Sequence, residues 1–447
     1  MIKYIYDDTR IQSGKTKGYE KMPDIIKKNL QTGINLYYIP DKKYKTVSMS
    51  LFLHRNLSRD EATANALLAK VLGRGTAKYT DINALNCRAE ELYGTFYDVN
   101  ITKKAYAQSI VCTVNFLSDS YVKESLFPAV SELMLDLVFD PYITDGGFDK
   151  SYIASEKRNL KDDIEGLIND KRSYADFRCI EEMCANEANS IFEFGYLDKI
   201  DLITPEDLYS HYKSIITTSP IDIYIVGDVD IDSAENLFAE YLSRFDFNCR
   251  ELGSDMNIIR SAGEVKYVSD ELDVIQGKLV MGFRAALSID DSDYYALLVG
   301  NSIFGAGAHS RLFNTVREKM SLCYYASSRL DKFRGIILVS SGIEFENYEK
   351  SKDEILRQLK NVSGGDFTDE ELDVSREFIV NNYRSYKDSP YMMKDYYRGH
   401  EFSENRDTID EAIEKIKNVH REDVVRAMAN IALDTVYFLK GKEQDKA

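Results

Sequence analysis

Five histidines, His54, His211, His309, His400 and His420, are the obvious candidates for metal or proton chemistry, and no two of them stand at HxxH, HExxH or HxxEH spacing. Two imidazoles grip one metal ion from a helix when they lie four residues apart on one face, so each histidine here reads as a surface or packing residue. The six cysteines, Cys87, Cys112, Cys179, Cys184, Cys249 and Cys323, include no CxxC pair. Cys179 and Cys184 share an expected helix at a spacing that suits neither a redox pair nor a zinc knuckle. No cysteine has a readable activating partner, and no GxSxG nucleophile elbow occurs. Gly305-Ala306-Gly307 lacks the third glycine of a dinucleotide fingerprint, and Gly73 to Lys78 fails the phosphate-loop pattern. A sharp helix-to-helix connection needing positive φ is the simpler account of Gly305 and Gly307.

The elements that would position such residues repeat along the chain. With 447 residues, the length is roughly three times the ~150-residue prior for one domain. Ala66-Leu67-Leu68-Ala69-Lys70-Val71-Leu72-Gly73 is echoed by Ala296-Leu297-Leu298-Val299-Gly300-Asn301. Each apolar helix runs into a glycine-containing break, then a second amphipathic helix (Asp81 to Tyr93, Ser310 to Met320), then an alternating strand (Thr95 to Ile101, Leu322 to Ser328). The ends agree too. Thr204-Pro205-Glu206-Asp207 opens a helix with a good cap and early acids, leading to the strand Ile221 to Gly227; Arg421-Glu422-Asp423 opens another, leading to Thr435 to Gly441. The sequence therefore predicts two homologous α+β domains, 1–245 and 264–447, joined by the polar stretch 246–263. Each is expected to be a largely antiparallel sheet with helices packed on one face.

Composition narrows the partners. The 57 basic and 74 acidic residues leave a net charge of −17, which repels nucleic acid and anionic membrane. Met1 to Arg10 lacks the order of a secretion signal, and no stretch approaches ~18 uninterrupted apolar residues. A cytoplasmic protein with free thiols is expected.

On these motifs the chain resembles the pitrilysin/insulinase metallopeptidases, most closely the half-length type represented by mitochondrial processing peptidase and its bacterial relatives. The resemblance covers nearly the whole chain and implies paired α+β domains that close as a clamshell around a peptide. Active members carry His-x-x-Glu-His ten residues ahead of a Gly-Thr, which here is Gly75-Thr76. The two histidines would hold Zn²⁺ and the glutamate would take a proton from its water. In this chain those positions are Ala66, Ala69 and Lys70, so both imidazoles and the base are missing, and a cation stands where a ligand would. The third ligand, a glutamate on a later helix, falls near Asp162 or Asp163. No metal and no other cofactor is expected in this chain.

The second-half signature is well preserved. Ser310-Arg311-Leu312-Phe313, Arg317-Glu318-Lys319 and Leu322-Cys323-Tyr324 look like the family's SRLF…REK…LxY segment. The resemblance implies that Arg317 and Tyr324 reach across the clamshell to the substrate carbonyl, to which a guanidinium and a phenol both donate hydrogen bonds. Gly305 and Gly307 sit where relatives carry a glycine-rich loop. Gly94 to Val99 matches the strand beside a bound peptide, with Asp98-Val99 where active relatives tend to have Asn-Ala.

The resemblance thus implies a zinc-less, noncatalytic subunit that works with a zinc-bearing, HxxEH-carrying paralogue. The segment Glu156 to Ala175 is also similar to a zinc-less bacterial type associated with 5-aminopentanol modification of elongation factor P. The alternative is a peptide- or protein-binding scaffold, self-associated as a homodimer, with no peptidase role.

Overall fold

The computed structural model describes residues 25–253 and 259–442. The expectation for Met1 to Arg10 and the centre of the proposed join, residues 254–258, lie outside them.

Chain order in the first half is β1 (Ile26–Gln31), β2 (Ile34–Pro40), β3 (Thr46–Asn56), α1 (Ala62–Leu72), α2 (Ile82–Glu91), β4 (Phe96–Lys104), β5 (Ala107–Leu117), α3 (Phe127–Phe139), the small hairpin β6 (Ile143–Thr144) and β7 (Gly147–Phe148), α4 (Lys150–Gly166), α5 (Lys171–Met183), α6 (Leu197–Ile200), α7 (Pro205–Thr218), β8 (Ile221–Gly227) and α8 (Ile231–Leu242). After the join come β9 (Lys266–Leu272), β10 (Gly277–Arg284), α9 (Tyr294–Phe304), a wide helical turn (Leu312–Lys319), β11 (Cys323–Asp331), β12 (Ile336–Ile343), α10 (Tyr348–Ser363), α11 (Asp369–Tyr386), α12 (Pro390–Arg398), α13 (Ile409–Lys417), α14 (Arg421–Met428) and β13 (Ala432–Gly441).

Local chemistry explains several boundaries. At α7 the Thr204 side chain accepts from the Asp207 amide, the Asp207 carboxylate accepts from the Thr204 amide, and Pro205 fills the first turn. The same reciprocal cap starts α11 at Thr368 and Glu371, and α13 at Thr408 and Glu411. The segment expected as an ordinary helix, Ser310 to Met320, is wound wider. The Met320 amide bonds to Thr315 O, five residues back, which makes Leu312–Lys319 a π-helix.

The two sheets repeat one pairing scheme. The first runs β1-β2-β8-β3-β5-β4 and the second β11-β12-β10-β13-β9. In both, a central strand (β3, β10) pairs antiparallel with a late strand (β8, β13), which in turn pairs parallel with an early one (β2, β9). α1 and α9 occupy the same place in this order, and β4 and β11 are the matching free edges. The architecture is α+β with mostly antiparallel sheets.

Alternation along each strand sends side chains to two different environments. Val47, Met49, Leu51 and Leu53 of β3 pack with Ala66 and Leu67 of α1 in the first core. Leu279, Met281 and Phe283 of β10 pack with Ala296 and Leu297 of α9 in the second. The opposite faces are also covered, in each case by a helix from the other half. α5 lays Ala175 and Cys179 on Val280, Tyr437 and Leu439 of the second sheet. α12 lays Arg398 over the Phe52 ring of the first sheet, 4.3 Å from its centroid, and Lys394 Nζ donates to Ser50 Oγ at 2.7 Å.

This exchange buries charge. Arg284, 1% exposed, pairs with Glu187 at 2.6 Å and Asp434 at 3.1 Å and donates to Met183 O at the end of α5. The seam on the first sheet is different. Arg398 Nη2 donates to Ser109 Oγ at 3.2 Å, and Lys103 Nζ donates to the carbonyls of Asn189 and Ile191. Burial holds Lys103, Lys104 and Lys394 at about 8.

Two outcomes are expected. Arg284→Met strands two buried carboxylates and should destabilise the protein by roughly 3–5 kcal/mol in guanidinium unfolding. Because the three lysines have folded pKa values below their ordinary 10.5, the unfolded chain binds more protons between those values. Their contribution to stability should therefore rise with pH from about 8 toward about 10, checked as the difference in urea unfolding between the wild type and Lys394→Met across that range.

Candidate functional site

Ala66 and Ala69 are each 1% exposed on α1, and their methyl groups sit in the first core. Lys70, on the half-exposed side of the same helix, is the position that reaches out. Its Nζ lies 2.6 Å from Asp163 Oδ2 on α4. One turn on, Arg74 Nη1 lies 3.2 Å from Glu156 Oε1, and the guanidinium stacks 4.9 Å above the Tyr152 ring. Glu156 is buried and also accepts from Asn159 Nδ2 at 2.9 Å. Lys70 and Arg74 are one turn apart, while Asp163 and Glu156 are two turns apart in the reverse direction. The two ion pairs are thus rungs between antiparallel helices.

These residues do not fit a zinc ion. Two of the three helix positions offer only methyl groups, and the third holds an ammonium already paired with the carboxylate expected as third ligand. Among the described residues no three His, Cys, Asp or Glu side chains gather as a metal requires. The histidines have other work: His54 bonds to Ser109 and Asp222, His211 to Asn65, and His309 to Ser302 and Ser375. His400 bonds to the Asp407 carbonyl, and burial pushes its pKa down to about 4. The His420 amide donates to Asp423.

Beside the ion-pair ladder lies a cleft of about 760 Å³, lined by Lys70, Arg74, Phe96, Asp98 and Val99 among others. One wall is the free edge strand β4. Phe96 is 55% exposed, and Tyr93, in the turn before it, is 54% exposed with φ +58°. That exposed edge can accept an added strand.

Arg317 and Tyr324 flank the corresponding edge of the second sheet. Arg317 closes the π-helix; its guanidinium lies 4.6 Å from the Phe313 ring centroid and 3.5 Å from Glu318. Tyr324 stands at a bulge in β11, between the paired Cys323 and Tyr325, and is 59% exposed. Its hydroxyl donates to Glu344, which holds the phenol pKa above its usual value. No hydrogen bond joins Arg317 to Tyr324, and within this chain each is capped by a surface carboxylate.

The glycine loop has a structural account. Gly307 has φ +122°, as a sharp connection demands. Gly305 does not take a positive φ; a Cβ there would come within 2.6 Å of Ser328 Oγ, and its carbonyl accepts the Ser328 amide at 2.9 Å. Close approach of α9 to β11 is the reason for that glycine. Sequence reasoning missed the Arg74–Glu156 rung, whose partners lie far apart along the chain with no local spacing to join them.

Comparison with known proteins agrees with this geometry. Residues 202–378 match the family described as the peptidase M16 inactive domain. The chain is 36% identical over 419 residues to a protein of Bacillus subtilis described as probable inactive metalloprotease YmfF, covering 93% of this chain and 98% of the relative. A second Bacillus subtilis protein, described as uncharacterized zinc protease YmxG, is 21% identical over 236 residues, 51% of this chain and 53% of that one. A solved structure, of a conserved protein from Enterococcus faecalis V583, superposes with TM-score 0.88 at 26% identity, covering 95% of this chain and all of that one. The chain therefore belongs to the M16 metallopeptidase family, as an inactive, metalloprotease-like member.

Purified protein should contain far less than one zinc per chain by elemental analysis. The Lys70–Asp163 pair is partly exposed, with side chains 24% and 45% accessible, so a double-mutant cycle should give only about 0.2–1 kcal/mol of coupling.

Proposed function

We propose that this chain is the zinc-less, noncatalytic subunit of an M16-type heterodimer, supplying Arg317 and Tyr324 in trans to a substrate held over the zinc of an HxxEH-bearing partner. The observation that carries the reading is the asymmetry between the two halves. The first has Ala66, Ala69 and Lys70 where two imidazoles and a base would stand, while the second keeps an arginine and an exposed tyrosine at the matching sheet edge. A guanidinium and a phenol both donate to a developing oxyanion, and neither needs a metal in its own chain. Bacillus subtilis has relatives of this chain of both kinds, one described as inactive and one as a zinc protease, which is the inventory such a pair needs.

The compartment is the cytoplasm, in keeping with six free thiols. No helix among the described residues is long and apolar enough to cross a membrane. By the resemblance of Glu156 to Ala175, the process served is the 5-aminopentanol modification of elongation factor P.

A second reading, a peptide-holding scaffold with no part in proteolysis, is favoured by one observation: Glu318 and Glu344 already engage the two donors. Reconstitution separates the two. In the heterodimer, Tyr324→Phe should lower kcat by about 10²–10³ while assembly and the partner's zinc content stay unchanged. Wild-type turnover by that variant, with normal assembly, would leave the scaffold reading standing.

A further inference from the structure

The wide helical turn before β11 carries two rows of side chains that differ in character. Leu312 and Val316, four residues apart, are both fully buried in the second core. Phe313 and Arg317 repeat that spacing one residue on, and both lie at the rim. Phe313 is partly buried, yet among the described residues it packs into none of the hydrophobic cores. Its ring centroid lies instead 4.6 Å from the Arg317 guanidinium carbon. An aromatic ring kept near the surface without serving a core needs another reason.

Hydrogen bonding holds Arg317 only loosely. Its side chain is 40% accessible, and Glu318 Oε1 stands 3.5 Å from Nε, which is long for a hydrogen bond. Among the described residues no hydrogen bond holds either Nη atom. A long side chain in that condition loses rotamer freedom when a ligand immobilises it, and that loss weakens binding. A cation–π contact removes part of the loss beforehand. It does so while leaving the N–H donors available. The contact also fixes where the charge sits. Burial raises the pKa of the Cys323 thiol, and the field of Arg317 opposes that rise, so the guanidinium stands near the start of β11, where Tyr324 is the next residue.

We infer that Phe313 is a positioning residue for Arg317, holding the guanidinium near Tyr324 with its donors free for a substrate carbonyl. This rests on the trans role proposed above for Arg317 and Tyr324. It adds to that role the side chain that orders the arginine before a substrate arrives.

The test uses the assembled pair of this chain and its HxxEH-bearing paralogue, with turnover of an unstructured, internally quenched fluorescent peptide as the readout. Phe313→Leu should lower kcat/KM about two- to fivefold, the effect of losing one exposed cation–π contact, with the unfolding temperature unchanged. Phe313→Tyr, which keeps a ring, should retain the wild-type value. In an Arg317→Ala background, Phe313→Leu should have no further effect, because the group it orders is gone. A phenylalanine that only supports the fold would give the same loss in both backgrounds. Equal losses in the two backgrounds, or full activity in Phe313→Leu where Arg317→Ala is impaired, overturns the positioning role and leaves the trans role intact. Arg317→Ala turning over at the wild-type rate in a normally assembled pair defeats the trans role, and the positioning role falls with it. Both fail as well if no pair assembles.

Discussion

Both faces of each sheet have to leave water, and a single half has helices for only one of them. That constraint is met by exchange: α5 leaves the first half to cover β10 and β13, and α12 leaves the second to cover β3 and β8. Neither half is complete alone, because each would expose a sheet face carrying Phe52 and Tyr224 or Val280 and Leu439.

The two exchanged helices solve the problem of buried charge differently. At α5, Arg284 finds two carboxylates and a carbonyl, so the guanidinium is well matched in charge and hydrogen bonding. At α12, Lys394 and Arg398 meet hydroxyl groups, and Arg398 Nε and Tyr224 Oη have no hydrogen-bond partner among the described residues. Buried polar atoms in that condition are commonly served by ordered water. One seam is a closed ionic lock, and the other is a polar interface whose α12 cations bond to hydroxyl groups.

Much of this was legible in the residues. The strand Ile221–Gly227 is buried at every position and reads as an apolar run, and α7 announced itself through Thr204, Pro205 and Asp207. The loss of the metal site could be read because Gly75-Thr76 set the register of Ala66, Ala69 and Lys70. The helix exchange could not. An amphipathic pattern shows that α5 and α12 each own an apolar face, but not which sheet receives it. Lys103 and Lys104 look like an ordinary solvated pair in sequence, since their burial comes from segments distant along the chain. The π-helix escaped because nothing in Leu312 to Lys319 distinguishes i→i+5 from i→i+4 hydrogen bonding. The capping of Arg317 and Tyr324 by Glu318 and Glu344 needed coordinates too.

The ladder between α1 and α4 also bears on the chain's mutational history. A return to metal binding would have to pass through intermediates that are each worse than the present state. Removing Lys70 first leaves Asp163 without its cation, and introducing a histidine at Ala66 first forces an imidazole into a closed core with no ion to reward it. Only the simultaneous change of several positions avoids both losses. The closed packing around Ala66 and Ala69, more than the weak surface pair, thus acts as a ratchet against return to a metal centre.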